Sequence, residues 1–231
     1  KKTRKNYSNS YSGEKMQPIS LSPDLADSIC SIYQEIRVKK TCDCQNLFDF
    51  NHVKEHIVYK LIRRDANEEL LKQIPYESFL DLAVVYYIQI DNTRFGSAAI
   101  QIRNEHLRYW RVEKEEIRRL AEKNTPRIYP VQIGQIVRFM YVATNEQCSL
   151  GAAVMRYPDF REKVRGMIRG DFYILPSSIH EVILVPESFG LEPERMQEMV
   201  KEINQTGVAP EEVLSDSVYY FDGEEIRIVA K

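Results

Sequence analysis

Between Asp171 and Glu187 the chain reads DFYILPSSIHEVILVPE, two apolar and β-branched runs separated by only the four residues from Ser177 to His180. A link that short cannot hold a crossover, because parallel strands need about a dozen residues or more between them. The two runs are therefore expected to pair as an antiparallel hairpin with a polar tip.

The same arrangement recurs along the chain. FLDLAVVYYIQI, the most apolar run, is answered across the turn residues DNTRFG by SAAIQIRN, and SVYYF and EEIRIVA flank Asp222 and Gly223, a dipeptide that favours tight hairpins. HVKEHIVYKLI alternates as a strand does, while FMYVATN and LGAAVM suggest another strand pair across a polar turn. Helical spacing separates these pairs. ANEELLKQ ends before Pro75, NEHLRYW begins at Asn104, and EKEEIRRLAEKN places Ile117, Leu120 and Ala121 on one face before Asn124 and Pro126, residues that stop helices. PDFREKVRGMIRG turns Phe160, Val164 and Met167 inward and closes at Gly170, and EPERMQEMVKEIN carries Met196, Met199, Val200 and Ile203 as a buried stripe. Nearer the start, Ser22 and Pro23 open a helix with Leu25, Ile29, Ile32 and Ile36 on one face. The fold class these signals specify is α+β, a mainly antiparallel sheet of sequence-adjacent strand pairs with helices packed on it.

Composition narrows the class further. The 231 residues are 43% hydrophobic with 9 Gly and 10 Pro, which excludes collagen-like and largely disordered chains. Residues 1–15 hold five bases and a lone acid among Asn, Ser and Tyr, too polar to order themselves, so they are expected to form a flexible basic arm ahead of a single domain over residues 16–231. Pro126, Pro130 and Gly134 make 124–135 the best internal boundary. The overall charge of −2 gives no global field for nucleic acid or an anionic membrane. It is unevenly distributed, since residues 181–231 carry twelve acids against four bases, a balance of −8 that leaves +6 for residues 1–180. Such asymmetry is compatible with two solvated faces, or with head-to-tail self-association into a homo-oligomer. No stretch approaches the roughly 18 apolar residues of a membrane helix, and the start has no apolar signal-peptide core. Cys30, Cys42, Cys44 and Cys148 are too few and irregular for a disulfide framework. A cytoplasmic protein with free thiols is the expectation.

The segments FLDLAVVYYI, NEHLRYWRVEKEEIRRLAEKNTPR, DFYILPSSIHEVILVPE and VAPEEVLSDSVYYFD resemble an uncharacterised family of bacterial proteins, a domain of unknown function. The resemblance runs over residues 52–222 in order and spacing, and is most specific in HEVILVPE and LSDSVYYFD. A second uncharacterised family is more distantly similar through the apolar strand and the NEHLRYW helix. The resemblance implies a small bacterial protein and carries over no catalytic or binding residue.

Chemistry-bearing constellations are sparse. Ser177, Ser178, His180 and Glu181 at the hairpin tip place hydroxyls, an imidazole and a carboxylate beside apolar ground, the usual makings of a ligand or partner site. A hydrolase would use Ser177 or Ser178 as nucleophile with His180 as its base, but no G-x-S-x-G elbow is present; Ser and His also serve as ordinary turn residues. Cys42, Cys44, His52 and His56 suggest zinc in order only, because on a strand the two histidines would lie about 13 Å apart. Asp81 interrupts an apolar strand and must be paired, for instance with Arg103. Arg108, Arg111, Arg118 and Arg119 could clamp nucleic acid, although Glu105, Glu113, Glu115 and Glu116 among them favour a solvated helix pair. No Gly-rich phosphate loop occurs and no motif calls for a cofactor or metal. The reading that follows is a module binding an unidentified protein or small molecule without catalysis, with the Ser–His hydrolase and nucleic-acid binding through residues 103–119 as the alternatives.

Overall fold

The computed structural model describes residues 49–92 and 96–231, with side chains for all of these except residues 91–92 and 96–98. The basic arm, the helix expected from Ser22, and Cys30, Cys42 and Cys44 lie outside the described residues.

Two antiparallel sheets with helices packed against them form an α+β fold, as the strand pairs require. The first sheet holds β1 (Ile57–Arg63), β2 (Tyr76–Phe79), β3 (Leu82–Asn92) and β4 (Gly96–Gln101); β3 is central, with β1 along one side and β2 then β4 along the other. β3 is buried on both faces, as its unbroken β-branched and aromatic composition demands. Val84, Tyr86 and Ile88 enter the main core, while Ala83 and Val85 pack under Leu71 and Ile74. The second sheet has the order β10-β9-β7-β8-β6-β5, from β5 (Val131–Val137), β6 (Met140–Asn145), β7 (Phe172–Leu175), β8 (Val182–Pro186), β9 (Val218–Phe221) and β10 (Ile226–Ala230). The β7–β8 hairpin forms with Leu175 opposite Ile183, and the β9–β10 hairpin with Ile226 opposite Phe221. Gly223, at φ +93°, supplies the left-handed backbone of the latter turn.

The helices are α1 (Phe50–Val53), α2 (Glu68–Leu71), α3 (Asn104–Trp110), α4 (Lys114–Ile128), α5 (Phe160–Met167) and α6 (Pro193–Thr206). Several differ from the sequence expectations. HVKEH is helical, with α1 followed by a 3-10 turn at Lys54–His56, so β1 begins only at Ile57. α4 continues through Pro126 to Ile128. The proline removes one amide donor, but Asn124, fully buried, donates to the carbonyls of Lys54 and Ile57 at 2.8 and 3.0 Å, and Thr125 Oγ1 accepts the Tyr59 amide at 3.0 Å. These long-range bonds hold the last turn against β1 and outweigh the local stop signal. LGAAVM is a 3-10 helix (Gly151–Arg156) rather than a strand; the partner of β6 is β5, drawn from the stretch that composition marked as a boundary. The chain passes from the first sheet to the second at Tyr129 and Pro130, and one buried cluster takes Tyr59, Leu82 and Tyr86 from the first together with Ile174, Leu184 and Tyr219 from the second.

Two helical faces are rotated from expectation. In α5, Phe160 and Val164 are buried but Met167 is 43% exposed, and Ile168, just past the helix, takes its place. In α6, Met196 and Val200 pack on Leu175, Val185 and Val218, whereas Ile203 is 48% exposed and Asn204 is buried instead.

Candidate functional site

The tip of the β7–β8 hairpin is built into the protein interior, since β7 and β8 are central in their sheet and their connection runs against residues 212–215. Leu214 and Ser215 amides donate to Ser177 and Pro176 carbonyls at 3.0 Å each, the Ile179 amide donates to Glu212 at 2.9 Å, and Ser178 bridges to Val213. Ser178 is buried, while Ser177, His180 and Glu181 are half-buried. The Ser178 Oγ accepts the main-chain N–H of His180 at 3.0 Å, a turn bond of the kind serine makes to residues two ahead. The imidazole faces elsewhere. Its Nδ1 accepts the Leu150 amide at 3.3 Å, and its Nε2 lies 3.4 Å from Glu212 Oε1. An Nδ1 that accepts carries no proton, so the neutral tautomer has its N–H on the Glu212 side. The structure thus gathers Ser178 and His180 in one crossing but aims the ring away from the Ser178 hydroxyl, the reverse of what a nucleophile–base pair requires.

Gly151 completes this crossing. A Cβ there would stand 2.1 Å from Thr144 Oγ1 and 2.4 Å from the His180 carbonyl, which Thr144 Oγ1 itself reaches at 2.8 Å. Only glycine allows the 3-10 helix to lie this close to β6.

The other constellations resolve as follows. Asp81 is not within a strand: Phe79 pairs with Leu82, so Leu80 and Asp81 form a two-residue turn between β2 and β3 with Leu80 at φ +56°. Its partner is not Arg103, which donates to Gln73 Oε1 at 2.9 Å. Asp81 Oδ2 instead accepts Ser215 Oγ and Ser217 Oγ, each at 2.7 Å, and Oδ1 accepts the Tyr219 hydroxyl. Residues 215, 217 and 219 share one face of an extended segment because side chains alternate along it, and that spacing was the available signal for a hydroxyl set which sequence analysis did not single out. Burial first, then the adjacent Asp81 charge, holds the Tyr219 phenol well above its ordinary pKa. Asp216, between the serines, takes Arg63 Nη1 at 3.1 Å and Asn204 Nδ2 at 2.8 Å. One short segment therefore ties β1, the β2–β3 turn and α6 together.

Arg108, Arg118 and Arg119 sit on Glu105, Glu77 and Glu116, and Arg111 caps α3 in a left-handed conformation. His52 and His56 lie on helical turns, and among the described residues no three His, Cys, Asp or Glu side chains form a metal-ligand set. Nor is any described helix long and apolar enough to cross a membrane.

Two open clefts and one apolar patch remain. A cleft of about 450 Å³ is lined by residues including Phe79, Arg156, Tyr157 and Arg161, but the Arg156 guanidinium is already 3.4 Å from both Glu77 and Glu122. The other, about 380 Å³, lies along Gln132, Ile133, Gly134, Val142, Thr144 and Cys148 on the β5–β6 hairpin. Neither takes a side chain from Ser177, Ser178, His180 or Glu181. At the end of that hairpin Ile136 and Val137 are 51% and 56% exposed, and Phe139 meets Phe189 ring to ring at 5.6 Å with both partly exposed. β5 is the outermost described strand of its sheet, and from Tyr129 to Val137 it carries no charge. Sequence analysis passed over this surface because it read the stretch as a boundary.

Comparison with curated proteins and with solved structures finds no match. A family model matches residues 6–140 and 134–223, spans that hold Asp81 on one side and Ser215, Ser217 and Tyr219 on the other. On that match, the chain whose two most characteristic segments meet at Asp81 belongs to a family of unknown function, DUF5688.

Proposed function

We propose that the protein is a binding module that works by contact with another polypeptide, through the β5 edge and the apolar end of the β5–β6 hairpin, and without catalysis. The observation that carries this reading is the grouping of Ile136, Val137, Phe139 and Phe189, all at least a third exposed, on an uncharged edge strand. Contiguous exposed apolar groups mark interaction sites more often than they occur by chance on a monomer's surface, and an edge strand offers unpaired main-chain groups for β-augmentation. The polar groups at the hairpin tip, by contrast, are spent on one another, which supports an architectural role for Ser178 and His180.

The test pairs Phe139→Asp with Phe189→Asp, both tolerable at exposed positions. Protein purified from its natural source is expected to carry a polypeptide partner in native mass spectrometry, and the double variant to lose that partner while keeping its far-UV circular dichroism. A retained small molecule with no protein partner, or turnover in a broad hydrolase and nucleotide screen that His180→Ala abolishes, would overturn the reading.

A further inference from the structure

Resting on the reading of the β5 edge as a contact surface, we infer that its partner is a second copy of this chain, paired antiparallel along β5 about a two-fold axis through Gly134. A two-fold axis across a strand edge demands a self-complementary strand, because each residue meets the one equally far on the other side of the axis. Centred on Gly134, Val131 faces Val137, Gln132 faces Ile136 and Ile133 faces Gln135. Every pair joins apolar to apolar or apolar to amide, and no charge is opposed by its like. Charged residues are the usual means by which an edge strand is kept from its own copy, and β5 has none.

Gly134 supplies a second observation. A glycine inside a strand weakens it and commonly marks a bulge or the close approach of another backbone. Within one copy, a Cβ at this position would make only ordinary contact, 3.8 Å from Val142 Cγ1, and its φ is not in the left-handed region. Packing inside one copy therefore does not call for glycine here. The bulge between Gln135 and Val137 bends the strand away beyond this point, which ends the pairing after a few residues and leaves a closed dimer rather than an open stack. So short an edge falls at the low end of specific interfaces, below about 1,200 Å² in total, where association is weak and reversible.

The test is sedimentation velocity of the full chain over a wide concentration series, with Ile136→Lys as the disrupting variant and Val137→Glu as a second. The wild type is expected to pass from monomer to dimer as concentration rises, and both variants to stay monomeric with unchanged circular dichroism. With the native cysteines replaced by Ser, Gly134→Cys is expected to form an intermolecular disulfide on mild oxidation, since the two Cβ atoms would face each other across the axis. A wild type that stays monomeric, a dimer that Ile136→Lys leaves intact, or no cross-link at position 134 would overturn the two-fold pairing. If the wild type is monomeric yet binds a different polypeptide that Phe139→Asp with Phe189→Asp removes, self-pairing fails and the contact reading stands; if no polypeptide binds at all, both fail.

Discussion

Replacing Asp81 by Ala strands three hydroxyls at once. Ser215, Ser217 and Tyr219 are 3%, 2% and 0% exposed, so water cannot easily reach them when the carboxylate is gone. A buried donor left without its acceptor costs about 1–3 kcal/mol. The serine hydroxyls can rotate toward other acceptors, and Ser215 Oγ keeps the amide of Ser217 at 2.9 Å, which places the expected loss at the lower part of the sum, about 3–6 kcal/mol. Against a whole-domain stability of about 5–15 kcal/mol that is a large fraction. Tyr219→Phe removes one donor and leaves the carboxylate two, for an expected cost of about 1.5–3 kcal/mol. Because the two changes break the same bond, the double variant should lose less than the sum of the singles, by about 1–2 kcal/mol. Trp110, the single tryptophan, gives a fluorescence signal for urea unfolding of all four proteins. A loss below about 1 kcal/mol for Asp81→Ala, or strict additivity in the cycle, would refute the argument that this carboxylate joins the β2–β3 turn to β9.

Three further outcomes are expected. Gly151→Ala forces a Cβ to within 2.4 Å of the His180 carbonyl and should cost about 1–3 kcal/mol, read as a melting temperature lower by several degrees; an unchanged melting temperature would mean the 3-10 helix moves freely from β6. Asn124→Ala deletes the donor to two buried carbonyls in the last turn of α4 and should cost about 2–4 kcal/mol in urea unfolding, with Asn124→Asp no rescue because the two N–H groups are what is needed. His106 has its pKa lowered, first by burial and then by the Arg103 charge, and its Nδ1 accepts the Arg103 amide at 2.9 Å. The unfolded chain then binds the proton more readily, so the stability of the neutral ring is present in full above its ordinary value of 6.5 and is lost as pH falls from there toward the lowered folded value. The difference in urea midpoint between wild type and His106→Gln should therefore shrink as pH is lowered through that window, and a constant difference would remove His106 as the cause.

What the sequence by itself determined is what neighbouring residues can express. The β7–β8 and β9–β10 hairpins follow from apolar runs joined by four residues or by Asp-Gly, the inward face of α4 from Ile117, Leu120 and Ala121, and the seat of Met196 beneath β7 and β8 from helical spacing. Class and antiparallel pairing were legible on the same grounds, because alternation and short connections admit few topologies. Only the tertiary structure decided where these elements meet. Pro126 lies in a helix because Asn124 and Thr125 are held by β1, some 66 to 70 residues away. LGAAVM is a 3-10 helix because Gly151 must lie against Thr144 and His180. β5 is a strand because β6 needs a neighbour more than Gly134 resists one. The Ser178 and His180 pairing suggested by proximity in sequence gave way to Leu150 and Glu212, whereas Asp81 found its hydroxyls 134 to 138 residues away. A buried polar group takes whichever partner the packed chain brings within about 3 Å, and local sequence carries no record of that partner until the whole core has closed around it.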